Sequence, residues 1–177
     1  MEEKVNIIIV DDHEIFRGGL KLLLNRLKYV SFVYEATNGQ VFLEFLEKTP
    51  VDIVLMDIEM PIMNGIEATK KALIINPKLK IIALTMFNNE EYIESMIDAG
   101  VKGFLLKNIT KESLDKALKS VIEGNNYYSE ELFKYFTKKI SNPEKHNNSD
   151  IKLTQRESEI IKYSFEGLSN KEIADKL

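Results

Sequence analysis

The sequence predicts an α/β chain built on a parallel sheet with helices on both faces. Three observations carry this. Apolar, β-branched runs recur at regular spacing over the first 106 residues. Each run is continuous rather than alternating, as expected of strands covered on both faces. Between the runs lie longer stretches whose apolar residues fall at helical spacing. Five such strand–helix repeats imply right-handed crossovers and a doubly wound sheet.

The strand-like runs are VNIIIV (5–10), SFVYEAT (31–37), VDIVLM (51–56), KIIALT (80–85) and VKGFLL (101–106). Helices are expected over roughly 13–28, 39–48, 65–75, 89–99 and 110–123. The first is marked by Ile15, Leu20, Leu23, Leu24 and Leu27, the third by Ala68, Ala72 and Ile75, and the fifth by Leu114, Ala117, Leu118 and Val121. Gly18 and Gly19 fall inside the first helix, at about 1 kcal/mol each, and close helix–sheet packing is the reading for them. After Gly124 the pattern changes. NNYYSEELFKYFTKKI (125–140) reads as a further helix started by Ser129 and two glutamates, and SNPEKHNNSD (141–150) as a polar linker. The tail, LTQRESEIIKYSFEGLSNKEIADKL (153–177), carries two S/T-x-x-E capping boxes, Thr154 with Glu157 and Ser169 with Glu172. With Gly167 as a terminator, it reads as two helices joined by a tight turn.

Composition sets the outer limits. The chain has 177 residues and no cysteine, so disulfides and thiolate metal sites are excluded. The N-terminus is acidic with only a short apolar run, which does not fit a secretory leader. No stretch approaches the roughly 20 apolar residues of a membrane span. A cytoplasmic protein without membrane contact is expected. The net charge is −4, and residues 1–123 hold 19 Asp/Glu against 15 Lys/Arg. There is no basic stripe of the kind a complete nucleic-acid binder carries.

The chemistry is predicted at one sheet edge, because ligands of open α/β sheets bind beyond the carboxyl ends of the strands. Asp11 and Asp12 follow the first strand and Asp57 ends the third. In the flavodoxin-like order 2-1-3-4-5 those strands are neighbours, so the three carboxylates converge. Unpaired, they repel by several kcal/mol, and the cluster calls for a cation. Oxygen donors that leave room for water suit Mg²⁺ better than Ca²⁺, and zinc least. Thr85 and Lys107 end the fourth and fifth strands on the same rim. With Mg²⁺ they would neutralise the oxygens of a transferred phosphoryl group, and Asp57 could itself be the nucleophile. Singly, each residue has a plainer reading: a turn or helix cap for an aspartate, a β-branched strand residue for Thr85, a solvated side chain for Lys107. The two histidines are placed otherwise, His13 at the start of the first helix and His146 in the linker.

These stretches, IIIVDDHEIFRGGL, DIVLMDIEMPIMNGIEA, IIALTMF and GVKGFLLKNIT, resemble the receiver domain of bacterial two-component response regulators over about residues 5–123. The resemblance implies that Asp57 accepts the phosphoryl group. It implies that Asp12 binds Mg²⁺ directly, Asp11 through water, and the Glu59 backbone carbonyl as a third protein ligand. It makes Thr85 the switch hydroxyl, Lys107 the phosphate-binding lysine and Phe104 the aromatic switch, able to repack but not to hydrogen-bond as a tyrosine would. Lys107 precedes Asn108, where many receivers have a cis proline. The tail resembles the first two helices of the LuxR-type helix-turn-helix, a pairing typical of the NarL/FixJ subfamily.

The expected organisation is a receiver over 1–123, a linker with a helix over 124–150, and the beginning of a DNA-binding module over 151–177. Its recognition helix, and hence any DNA-contacting residue, is expected to lie outside this chain. A histidine kinase would be the phosphodonor, and a homodimer the activated state of the full-length protein on DNA. The chain is expected to be a switch, not an enzyme. A receiver acting through protein contact without DNA is the alternative. An aspartyl-phosphate hydrolase would share the nucleophile and ion, and Glu59 holds its general-acid position, but no substrate cap is evident. Without a third tail helix, Ile160, Ile161, Ile173 and Leu177 would need cover from the receiver or a second chain, or be poorly ordered.

Overall fold

The computed structural model describes residues 4–86 and 90–129, together with Leu132, Tyr163 and Lys176. The expected linker, the paired helices of the tail and the cover of Ile160, Ile161, Ile173 and Leu177 lie outside the described residues, as does most of the helix expected over 125–140.

The chain alternates β1 (Val5–Val10), α1 (Glu14–Leu24), β2 (Val30–Ala36), α2 (Gly39–Leu46), β3 (Ile53–Asp57), α3 (Gly65–Ile75), β4 (Lys80–Thr85), α4 (Glu90–Ala99), β5 (Gly103–Leu106), α5 (Lys111–Ile122) and β6 (Tyr127–Tyr128). All strand pairs are parallel, and the sheet order is β2-β1-β3-β4-β5-β6. The five expected strands therefore lie in the expected order, with one more beyond them. That sixth strand lies just ahead of Ser129, where the sequence reading starts a helix: Tyr127 and Tyr128 pair with Gly103 and Phe104. Gly103 permits this: a Cβ there would stand 2.6 Å from the Tyr127 carbonyl oxygen.

Continuous apolarity does mark the central strands. Ile7, Ile8, Ile9 and Val10 of β1, Ile53 to Met56 of β3 and Ile81 to Leu84 of β4 are fully buried. One face of the sheet packs against α2, α3 and α4 through Phe42, Ala68, Ala72, Ile93 and Met96. The other packs against α1 and α5 through Leu20, Leu24, Leu114, Ala117, Leu118 and Val121. β2 departs from the expectation of burial on both faces. It is an edge strand, with Ser31, Phe32 and Glu35 exposed. Phe32 covers itself partly by stacking on Tyr34, which meets Phe45 of α2 at 4.8 Å between ring centroids.

Local chemistry sets the helix ends. Asn38 accepts from the N–H groups of Gln40 and Val41, and Asn64 from that of Glu67. Thr110 and Ser113 bond reciprocally across the first turn of α5. At the other end of α5, the Lys80 ammonium donates to the Ile122 carbonyl, where a cation complements the helix dipole.

Gly18 and Gly19 do not serve close packing. Both are exposed, and a Cβ at either would meet nothing within 4 Å. Ile15, one of the residues marking the apolar stripe, is also exposed, at 93%. The buried stripe of α1 thus begins at Leu20. Replacing Gly18 or Gly19 by alanine is expected to stabilise the protein by roughly 0.5–1 kcal/mol each, since the helix is kept and the unfolded chain loses freedom. Urea denaturation of the single variants checks this; destabilisation by either would mean that the glycine serves a contact after all.

Candidate functional site

The carboxyl ends of β1, β3, β4 and β5 meet at one rim. Asp11 follows Val10 directly and is fully buried; Asp57 is the last residue of β3 and is 4% exposed. Lys107 follows the last residue of β5 and reaches between them. Its Nζ stands 2.8 Å from Asp11 Oδ2 and 2.9 Å from Asp57 Oδ2. Among the described residues no other donor reaches either oxygen. The Lys107 ammonium also lies over the Phe16 ring of α1, 5.2 Å from its centroid.

The remaining bonds fix each acid from its own loop. Asp57 Oδ1 accepts from the Ile58 N–H at 2.8 Å. Asp11 Oδ1 accepts from the His13 N–H at 2.8 Å, and the Asp11 carbonyl accepts from Arg17 Nη1 at 2.8 Å. Burial raises the Asp57 carboxyl above its ordinary value; Lys107 pulls it down and Asp11 pushes it up. Burial works to lower the Lys107 ammonium, but its bonds to the two aspartates outweigh this and its value is raised.

Each sequence-predicted residue has a definite place. Asp11, Asp12 and Asp57 are brought together, and Asp12 is exposed at the rim. Glu59 is exposed in the β3–α3 loop and, with Asp12, Ile58, Met60, Asn64 and Tyr92, lines a cleft of about 370 Å³. Thr85 is buried at the end of β4, one residue beyond the partner of Asp57, and its carbonyl accepts from the Lys107 N–H at 2.8 Å. The Lys107–Asn108 peptide is trans. Phe104 is fully buried on β5 and stacked on Tyr128 at 5.9 Å.

Sequence reasoning missed His13. It does precede the first helix, as the N-cap of α1, but its side chain makes no capping bond. Its Nδ1 instead lies 3.0 Å from Asp12 Oδ1 and 3.2 Å from Asp11 Oδ1. One donor atom from each of Asp11, Asp12, His13 and Asp57 falls within 4.8 Å of all the others. The available signal was adjacency in DDH, where a histidine stands in place of a good capping residue.

The donor chemistry fits a divalent cation. Two buried carboxylates share one ammonium with Asp12 beside them, and among the described residues that ammonium is the only donor to Asp11 Oδ2 and Asp57 Oδ2. The β3–α3 loop is built to stay close. Gly65 N–H donates to the Ile58 carbonyl at 2.9 Å, and a Cβ on Gly65 would lie 2.0 Å from the Asp57 carbonyl oxygen. Within the loop, Ile62 holds φ = 71°, a strained conformation for a β-branched residue.

The family model described as "Response regulator receiver domain" matches residues 7–119, and that described as "Bacterial regulatory proteins, luxR family" matches residues 152–177. The transcriptional regulatory protein LnrK of Bacillus subtilis is 36% identical over 98% of this chain and 82% of that protein. The nitrate/nitrite response regulator NarL of Escherichia coli is 33% identical over 99% of this chain and 82% of that protein. A solved structure of the RcsB response regulator of Salmonella typhimurium matches with a TM-score of 0.72 at 30% identity, over 98% of this chain and 83% of that one.

Two predictions follow from the geometry. Gly65→Ala must move backbone, not a side-chain tip, and is expected to cost at least about 2 kcal/mol in urea denaturation; a neutral result would contradict the close approach. Asp57 has a raised value in the fold, so its carboxyl favours folding only when protonated, and that contribution is lost as pH rises through the folded value. Without divalent ions, Asp57→Asn is expected to raise the thermal midpoint at pH 7, with the difference shrinking toward about pH 4. Equal midpoints at pH 7 would argue against the desolvation of Asp57.

Proposed function

The chain belongs to the response regulator receiver family, joined to a LuxR-type DNA-binding segment, and from that premise we propose that Asp57 is its phospho-acceptor. The protein is a phosphorylation-dependent transcription regulator of the NarL/FixJ kind. We read 1–123 as the receiver, 124–150 as the linker with its helix, and 151–177 as the start of the helix-turn-helix. One observation carries the assignment of the site: the Lys107 ammonium set between the buried Asp11 and Asp57 carboxylates, with Asp12 at the rim.

In this reading a carboxylate oxygen of Asp57 bonds to phosphorus as the P–N bond of a kinase phosphohistidine breaks, and the electron pair returns to the imidazole nitrogen. A Mg²⁺ held by Asp11, Asp12, Asp57 and the Glu59 carbonyl would offset charge on the phosphoryl oxygens. Lys107 is already within 3 Å of Asp57 and exchanges part of its ion pairing for the new anionic oxygens. Thr85 offers a buried hydroxyl from the adjoining strand end, and Phe104 is the aromatic that repacks with it. The outcome is a shift between existing conformations of the α4–β5–α5 face, not a new structure. A homodimer of the full-length protein would then set two recognition helices on a two-fold DNA site; the matched RcsB structure is itself described in terms of DNA interaction.

Incubation with a small acyl phosphate donor and Mg²⁺ is expected to add one hydroxylamine-sensitive phosphoryl group, read by intact mass. Asp57→Ala is expected to abolish it. Incorporation that survives the substitution would move the acceptor elsewhere.

A further inference from the structure

We propose that Phe16 is a positioning residue for phosphoryl transfer: the face of its ring seats the Lys107 ammonium between Asp11 and Asp57 and supports it as it turns toward the phosphoryl group. The proposal rests on the reading of Asp57 as acceptor and deepens it. Lys107 Nζ stands 2.8 Å from Asp11 Oδ2, 2.9 Å from Asp57 Oδ2 and 5.2 Å from the Phe16 ring centroid. The last separation lies within the range over which the negative face of an aromatic ring attracts a cation. The lysine side chain is only 10% exposed, so little water competes with the ring.

The ring is itself held in place. Its neighbour Ile15 is 93% exposed, whereas Phe16 turns inward and packs on the apolar layer between the sheet and helices α1 and α5. Next in sequence, Arg17 donates from Nη1 to the Asp11 carbonyl at 2.8 Å. One turn of α1 thus fixes both the ring and the acid that the ammonium must partly leave. A third carboxylate in place of the ring would hold the ammonium by a strong directed bond and oppose its departure. A ring face attracts without such a bond. The ammonium can therefore pivot over it while its ion pairs are exchanged for phosphoryl oxygens.

Phe16 as mere cover for the core has a different signature. Filling space depends on the size of the ring; seating a cation depends on the negative charge of its face. Fluorine drains that face and changes the size little. The test is the full chain carrying mono-, di- or trifluorophenylalanine in place of Phe16. Trifluorophenylalanine in place of Phe42, fully buried on the other side of the sheet, is the control. The rate of phosphoryl incorporation from a small acyl phosphate with Mg²⁺, read by intact mass, is expected to fall with each added fluorine. The trifluoro ring is expected to slow it at least about fivefold, and the control to leave it unchanged. In proton NMR the ε-methylene of Lys107 is expected upfield of those of the other lysines, and to join them in Phe16→Leu. A rate flat within about twofold across the series, or an unshifted Lys107 methylene in the wild type, overturns the proposal. If the wild type takes up no phosphoryl group, the acceptor reading falls and the proposal with it. If incorporation at Asp57 proceeds and the series is flat, only the role of Phe16 is lost.

Discussion

One ammonium group holds the active edge together. Lys107 closes a triangle with Asp11 and Asp57, and these residues end three strands far apart in sequence. Buried carboxylates without a cation would repel one another and resist desolvation. With the lysine between them, β1, β3 and β5 can end at one level, and the loops that follow are aimed at a common point. The arrangement stays incompletely neutralised, since Asp12 adds a third carboxylate at the rim. That residual negative charge leaves the edge ready to take up positive charge, and the lysine ready to turn toward a new anion.

Much of this was legible in the sequence, because the signals are physical and local. β1, β3 and β4 read clearly as strands because burial on both faces removes polar residues from them. The convergence of the acids followed from strand order, which parallel topology restricts to few choices. What escaped was decided by contacts between distant residues. Two tyrosines make a sixth strand only because Gly103 lets the backbone approach. Gly18 and Gly19 suggested close packing by analogy with such cases, yet they face open space. The edge position of β2 left its side chains half exposed despite an apolar run. His13 was overlooked because a single histidine before a helix has an ordinary explanation, and its actual partners are visible only in three dimensions.

The rules of local stability are broken mainly near the acids. Asp57 is buried, Ile62 holds a left-handed conformation, and the first residue of α3 can only be glycine because the chain passes over the Asp57 carbonyl. Elsewhere α2 and α5 are capped by their own side chains, and an apolar core packs on each face of the sheet. The strain sits in the segment between Asp57 and Gly65, next to the cleft lined by Asp12 and Glu59. A stiff sheet beneath a tense loop gives a site whose donors are held in register before anything binds.

The short pairing of β6 with β5 has a mechanical meaning. Gly103 and Phe104 are tied to Tyr127 and Tyr128, the last strand residues among those described. Phe104 also lies ring against ring with Tyr128. The strand that delivers Lys107 to the acidic edge is thus the same strand to which the outgoing chain is moored. Sliding or twisting that strand would either tow the mooring along or cast it off, so the tether to the tail begins within a few residues of the chemistry.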